Sequence, residues 1–116
     1  MSENECIFCK IINGNASGNI LYQDNLVTAF RDSHPVAPLH ILIVPNKHIA
    51  SINDLNAEDE ILAGRLLITA RKLAVEHGVQ DTGYRLIVNT GSHGGQVVFH
   101  LHIHLIGGQK MRFPMG

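Results

Sequence analysis

The segment HLHIHLIGG, residues 100–108, sets His100, His102 and His104 at alternate positions. Imidazole exchanges a proton near neutral pH, attacks phosphorus, and is the commonest side-chain metal ligand. Alternate residues of an extended chain share a face. The three rings should therefore line one side, with Val97, Phe99, Leu101, Ile103 and Leu105 on the other. Neighbours of equal parity lie ~6.7 Å apart and the outer two ~13 Å, whereas ligand bonds to zinc are only ~2 Å long. Two such histidines can converge on one metal; three on a straight strand do so only with strain. Division of labour fits better. Phosphoryl transfer needs a nucleophile and donors for the charge that develops on the phosphate oxygens. A central histidine that attacks and a neighbour that holds a phosphate oxygen supply both from one rigid strand. The plain alternative, three half-buried histidines on a solvent face, leaves the regular spacing unexplained.

Cys6 and Cys9 form a C-x-x-C pair. In a reducing compartment such a pair is a metal or redox motif more often than a structural disulfide, the ordinary alternative being two thiols on a helix. The first residues, MSENECIFCK, carry no long apolar run, so no signal peptide is expected and the cytoplasm is the expected location. The longest apolar segments fall far short of the ~20 residues that span a bilayer, so no membrane association is expected. With 9 basic and 10 acidic residues, a net charge of -1 and no Lys/Arg run, a duplex nucleic acid is excluded as partner. A small anion is not, since it needs aimed donors and not bulk charge. The 116 residues, 45% apolar and 16% charged, suit one globular domain over 1–116. A domain of this size buries only about two-thirds of its unfolded surface, so a second copy would help.

The elements that must position these groups follow from patterning. Ile7, Phe8, Ile11 and Ile12 have helical spacing, closed by Asn13-Gly14. Strands are expected at 20–23 and 26–31 around an Asp24-Asn25 turn, followed by a loop carrying Pro35 and Pro38 and a buried strand over 40–45. A long helix is expected over 57–77, with Asn56 as N-cap, Glu58, Asp59 and Glu60 at its positive end, and Gly78 just past its end. Leu62, Leu66, Ala70, Leu73 and Ala74 form one apolar stripe on it, and Ile61, Ile68 and Val75 a second. The first stripe can face a sheet; the second needs another partner. A strand at 84–89, a glycine-rich loop at 90–95 and a last, longest strand from Gln96 to Gly108 complete the chain. The fold class is α+β, a mainly antiparallel five-stranded sheet with one long and one short helix.

The His-φ-His-φ-His-φ-φ run (φ apolar), together with CIFCKII, FRD before the Pro-rich loop, HILIVPNKHI, GYRLIVNTGSHGGQ and HLIGG in that order, resembles the histidine triad (HIT) family over nearly the whole chain. The length and the GGQKMRFPMG end are most similar to the Hint branch, the purine nucleoside phosphoramidases. The resemblance implies hydrolysis of the P–N bond of purine nucleoside 5′-phosphoramidates through a nucleotidyl-histidine. It implies no cofactor for catalysis, and a homodimer with a sheet continuous across it. His102 would be the nucleophile, His104 would bind a phosphate oxygen, and His40 would manage the proton needed by the leaving amine. Asn89, Gly95 and the backbone near Val97 and Val98 would contact phosphate, Asp32 the ribose hydroxyls, and Ile7, Phe8, Ile11 and Phe30 the base. The resemblance also implies a structural zinc on Cys6, Cys9, His48 and His100, which would give the first triad histidine a metal to hold in place of chemistry.

Each assignment has an ordinary counterpart: a loop cap for Asp32, plain core for the apolar four, a turn former for Asn89. Three positions depart from the branch pattern. Val97 stands where many members carry serine, Ser33 where many carry an apolar residue, and Phe113 where tryptophan is common. His34, His77 and His93 have no role to fill. The competing functions are hydrolysis of dinucleoside polyphosphates or nucleotidyl esters, a nucleotide-binding module without turnover, and a zinc-dependent hydrolase.

Overall fold

The structure, a computed structural model, describes residues 5–115; the ends of the expected 1–116 domain lie outside them. The elements are α1 (Ile7–Ile12), β1 (Ile20–Gln23), β2 (Val27–Arg31), β3 (Leu39–Pro45), α2 (Glu60–Glu76), β4 (Tyr84–Ile87) and β5 (Ile103–Gly107). The strands form one sheet in the order β1-β2-β3-β5-β4, with every neighbouring pair antiparallel. β3 is the middle strand and is buried at every residue, because both faces of the sheet are covered. Leu39, Ile41 and Ile43 pack with Val27, Ala29, Ile103 and Leu105 under Leu62, Leu66, Ala70, Leu73 and Ala74 of α2. Leu42 and Val44, of the other parity, pack with Phe30 under Phe8, Ile11, Cys6 and Cys9. Among the described residues no helix is long and apolar enough to cross a membrane.

The expected apolar stripe of α2 is the buried one, while Ile61, Ile68 and Val75 stay exposed. Ahead of the helix, Asp59 Oδ2 accepts the Asn56 N–H at 2.9 Å and Ala57–Asp59 forms a 3-10 turn. Past its end, Gly78 takes φ +74°. Its N–H reaches Val75 O (3.1 Å) and the Val79 N–H reaches Ala74 O (3.0 Å), the paired bonds of a Schellman stop. The β1–β2 turn is held by Asp24. Its Oδ1 accepts the Leu26 and Val27 amides, both at 2.8 Å, and its Oδ2 takes Tyr22 OH at 2.6 Å and Arg65 Nη1 at 2.7 Å.

Two of the expected strands are shorter than expected. The last strand is not the longest: it is confined to Ile103–Gly107, and residues 96–102 leave the sheet. In the observed register Ile43 faces Ile103, so the next partner facing Leu101 would be Pro45, which has no N–H to give. The Pro45 carbonyl is taken by His100 Nε2 at 2.8 Å, and the Leu101 N–H turns to Ile49 O at 2.7 Å. Val97 and Phe99 are in consequence 84% and 43% exposed and do not lie under α2, although Leu101, Ile103 and Leu105 do. β4 likewise ends at Ile87, short of the expected 89.

Candidate active site and the adjoining cysteine–histidine cluster

On the face opposite α2, the registers align Phe30, Leu42, His104 and Ile87 across β2, β3, β5 and β4. A cavity of about 670 Å³ opens there, lined by Ile7, Phe8, Ile11, Phe30 and Leu42 with Asp32 and Ser33 as polar edge. A smaller one of about 240 Å³ adjoins it, lined by Asn89, Gly95, Val97, His102 and His104, and shares Phe8, Asp32, Leu42 and Val98. The residues expected to bind base, ribose and phosphate thus surround two adjoining cavities. Sequence reasoning missed Ser17, Gly18, Asn19, Arg31 and Leu42, which also line the larger cavity. Leu42 was within reach, lying two residues beyond His40 on a strand. Ser17–Asn19 carry no pattern that would flag them, yet a Cβ on Gly18 would stand 2.6 Å from Ile11 Cγ2, in the wall of the cavity.

Backbone groups fix the protons on His102 and His40, and through His40 on His104, because a carbonyl only accepts and an amide N–H only donates. His102 Nδ1 lies 2.7 Å from His100 O, so Nδ1 carries a proton, and in the neutral ring Nε2 is the nitrogen with the lone pair. The Val36 N–H donates to His40 Nδ1 at 3.2 Å, so neutral His40 is protonated at Nε2. That atom lies 2.9 Å from His104 Nδ1 and 3.4 Å from Asp32 Oδ2. His104 Nδ1 therefore accepts, and its Nε2 carries the proton. The smaller cavity is thus faced by one ring with a nucleophilic nitrogen and one with a donor. Burial pushes His104 down to about 4, reinforced by His102 and His40 and opposed by Asp32. Burial also lowers His40 against the pull of Asp32. Both are neutral at pH 7, as this proton arrangement requires.

The loops around the rings are braced. Asp32 Oδ1 accepts the His34 N–H at 2.8 Å, so Asp32 caps its loop while its other oxygen faces His40. Asn89 Nδ2 donates to Gly94 O at 2.7 Å, holding the glycine-rich loop. A Cβ on Gly94 would stand 2.3 Å from Thr90 O, so glycine is required there. Buried Gln96 ties the same loop to the body, donating to Ala50 O at 2.7 Å and accepting the Gly91 N–H at 3.0 Å. His34 and His93 are exposed and His77 caps α2, as sequence reasoning expects of residues without a role.

Beside the cavities Cys6, Cys9, His48 and His100 converge, with one ligand atom from each within 4.8 Å of the others. Cys6 is the N-cap of α1 and its Sγ accepts the Cys9 N–H at 3.4 Å, which turns both sulfurs inward. His100 Nδ1 lies 3.3 Å from Cys6 Sγ and 3.5 Å from Cys9 Sγ, and His48 Nδ1 lies 3.3 Å from Cys9 Sγ. Tetrahedral bonds of ~2.3 Å to sulfur and ~2.0–2.1 Å to nitrogen put such ligand pairs about 3.5 Å apart, so the set fits zinc. The His100 Nε2 contact with Pro45 O at 2.8 Å is the outer hydrogen bond that a ligating imidazole makes. Asp32, His40 and His104 also cluster within 4.8 Å. There, the Val36 N–H on His40 Nδ1 forces the proton onto the very nitrogen a metal would need, so this second cluster is a hydrogen-bonded relay.

The model of the HIT domain matches residues 13–111. A purine nucleoside phosphoramidase of Escherichia coli (strain K12) is 52% identical over 107 residues, which cover 92% of this chain and 90% of that protein. The crystal structure of a HIT family hydrolase from Legionella pneumophila Philadelphia 1 superposes with a TM-score of 0.93 at 48% identity, covering 97% of this chain and all of that one. A histidine triad protein from Clostridium difficile gives 0.93 at 43% identity, over 99% and 100% of the two chains. The chain belongs to the histidine triad family.

Proposed function

We propose that this protein hydrolyses the P–N bond of purine nucleoside 5′-phosphoramidates, releasing a nucleoside monophosphate and an amine. The observation that carries the reading is the fixed proton arrangement: a lone pair on His102 Nε2 and a proton on His104 Nε2, facing one cavity beside an apolar slot. The base lies between Ile7, Phe8, Ile11 and Phe30, and Asp32 accepts from the ribose hydroxyls. Asn89, Gly95 and the backbone at Val97 and Val98 face the phosphate. The high identity to a protein named purine nucleoside phosphoramidase supports the choice of P–N substrate.

His102 Nε2 attacks the α-phosphorus, forming a P–N bond to the protein as the bond to the amine breaks. His104 Nε2–H donates to a phosphate oxygen. An amine leaves phosphorus as a neutral molecule only if it gains a proton; the His40–His104 pair, neutral at rest, takes that proton up from solvent and passes it to the amine, so both rings end neutral. Water then attacks the nucleotidyl-histidine, the proton it loses returns through the pair to solvent, and His102 is restored. His100 acts by position: its carbonyl keeps the proton of His102 on Nδ1.

Zinc on Cys6, Cys9, His48 and His100 would be structural, since four protein ligands leave no position open for substrate. Its thiolates belong in a reducing compartment, which supports a cytoplasmic location. The assembly is a homodimer, supported by the exposed apolar stripe of α2.

The test is single-turnover mass spectrometry with adenosine 5′-phosphoramidate on the wild type and on His102→Ala. A wild-type adduct one adenylyl unit heavier, absent in the variant, is expected. Product release undiminished in His102→Ala would overturn the assignment of the nucleophile. Nucleotide binding with neither adduct nor product would make the protein a binding module.

A further inference from the structure

Helix α1 serves two sites at once. Cys6 and Cys9 point to the cysteine–histidine cluster, while Ile7, Phe8 and Ile11 line the larger cavity. His100 belongs to the cluster, and its carbonyl, 2.7 Å from His102 Nδ1, orients the ring that faces the smaller cavity. Phe8 stands between them, its ring centre 5.8 Å from that of His100 and 5.2 Å from that of His102, edge-on to both. Three of the four cluster residues are thus within two positions of a group that lines a cavity.

A helix of six residues does not hold its own shape in water. The place of α1 is set by what it packs on and by what its cysteines bind. With the cluster filled, α1 is pinned through two sulfurs and His100 through its ring. With the cluster empty, the same groups are held by packing and by hydrogen bonds among the sulfurs, imidazoles and backbone, which are weaker than bonds to a metal, and a ligand entering the slot must bear more of the cost of ordering them.

We propose that the Cys6–Cys9–His48–His100 centre is an effector site for the nucleotide slot: zinc and a purine nucleoside monophosphate bind cooperatively, each raising the protein's affinity for the other. The proposal rests on the two readings above, zinc in the cluster and nucleotide in the slot, and goes beyond both by coupling them. Linkage makes the effect reciprocal, so the factor by which zinc tightens nucleotide binding equals the factor by which nucleotide tightens zinc binding.

Two titrations of the whole protein test this, with circular dichroism establishing that the zinc-stripped chain stays folded. Adenosine 5′-monophosphate is titrated calorimetrically with and without zinc, and zinc is titrated against a competing chelator with and without saturating nucleotide. Both dissociation constants are expected to fall by the same factor, about fivefold or more. Unchanged constants would overturn the coupling and leave both sites standing. Nucleotide binding without zinc uptake would overturn it along with the metal reading; zinc uptake without nucleotide binding would overturn it along with the slot. Should stripping unfold the chain, the cobalt-loaded protein decides. Its visible ligand-field bands are expected to shift on adding the nucleotide, and bands that do not move would sink the proposal.

Discussion

At the scale of residues, the site depends on which nitrogen of each ring holds its proton, and the backbone decides that. Truncating His104 to alanine removes both a donor to phosphate and the acceptor for His40 Nε2. A loss of about 10²-fold or more in kcat is expected, with adduct formation slowed in the same proportion. The depressed His104 also sets a sign for stability. It titrates at about 4 in the folded protein against ~6.5 when unfolded. Between those values the unfolded chain binds a proton that the folded chain does not, so stability rises with pH. The penalty is absent above pH ~6.5 and grows as pH falls toward 4. The melting temperature should drop from pH 7 to pH 5, and His104→Gln should flatten that drop. An equal drop in the variant would mean that His104 is not held neutral by its surroundings.

Elements place these residues, and their legibility in the sequence varied with the source of the signal. Periodicity located α2 and its buried stripe, because Leu62, Leu66, Ala70, Leu73 and Ala74 repeat at the helical period over about three turns. It located β3 because a run of β-branched residues needs two covered faces. It overextended β5, because the alternation from Val97 to Leu105 says nothing about the partner strand. The missing N–H of Pro45 ends the ladder, and proline's effect shows only once register is known. His102 was legible from spacing, whereas His40 and His48 entered through family resemblance and gained a physical role only from their contacts. The stretch Ser17–Asn19 lines the larger cavity without any pattern. The glycine-rich loop carries the prediction at this scale. Gly94→Ala sets a Cβ against Thr90 O, which it would approach to 2.3 Å, so the loop must move and Asn89 loses its partner at Gly94 O. A loss of about 1–3 kcal/mol by chemical denaturation and weakened nucleotide binding are expected. Unchanged binding would mean that the loop does not shape the phosphate side of the site.

For the whole molecule the unresolved demand is the second stripe of α2. Ile61, Leu67, Ile68 and Val75 are 77%, 56%, 53% and 48% exposed on one helix, a larger apolar display than solvent favours. α2 lies over β2, β3 and β5. β4 is an edge strand of the sheet, and its Leu86, which faces Leu105 in the register and so shares the α2 side, is 36% exposed. An uncovered edge strand beside an uncovered helix stripe is a surface that a second copy can complete. A two-fold axis there would set β4 against β4 and α2 against α2, join the sheets, and bury both liabilities in one contact. The wild type is expected to sediment at twice its 12.7 kDa chain mass, and Ile68→Arg to sediment as a monomer. Replacing exposed Ile20, which lies on β1 at the opposite edge of the sheet from β4, with arginine should leave the dimer intact. Monomeric wild-type protein at micromolar concentration would show that the stripe serves some other contact. In Ile68→Arg, nucleotide binding should persist if the slot is built within one chain, since the lining groups named here come from a single copy.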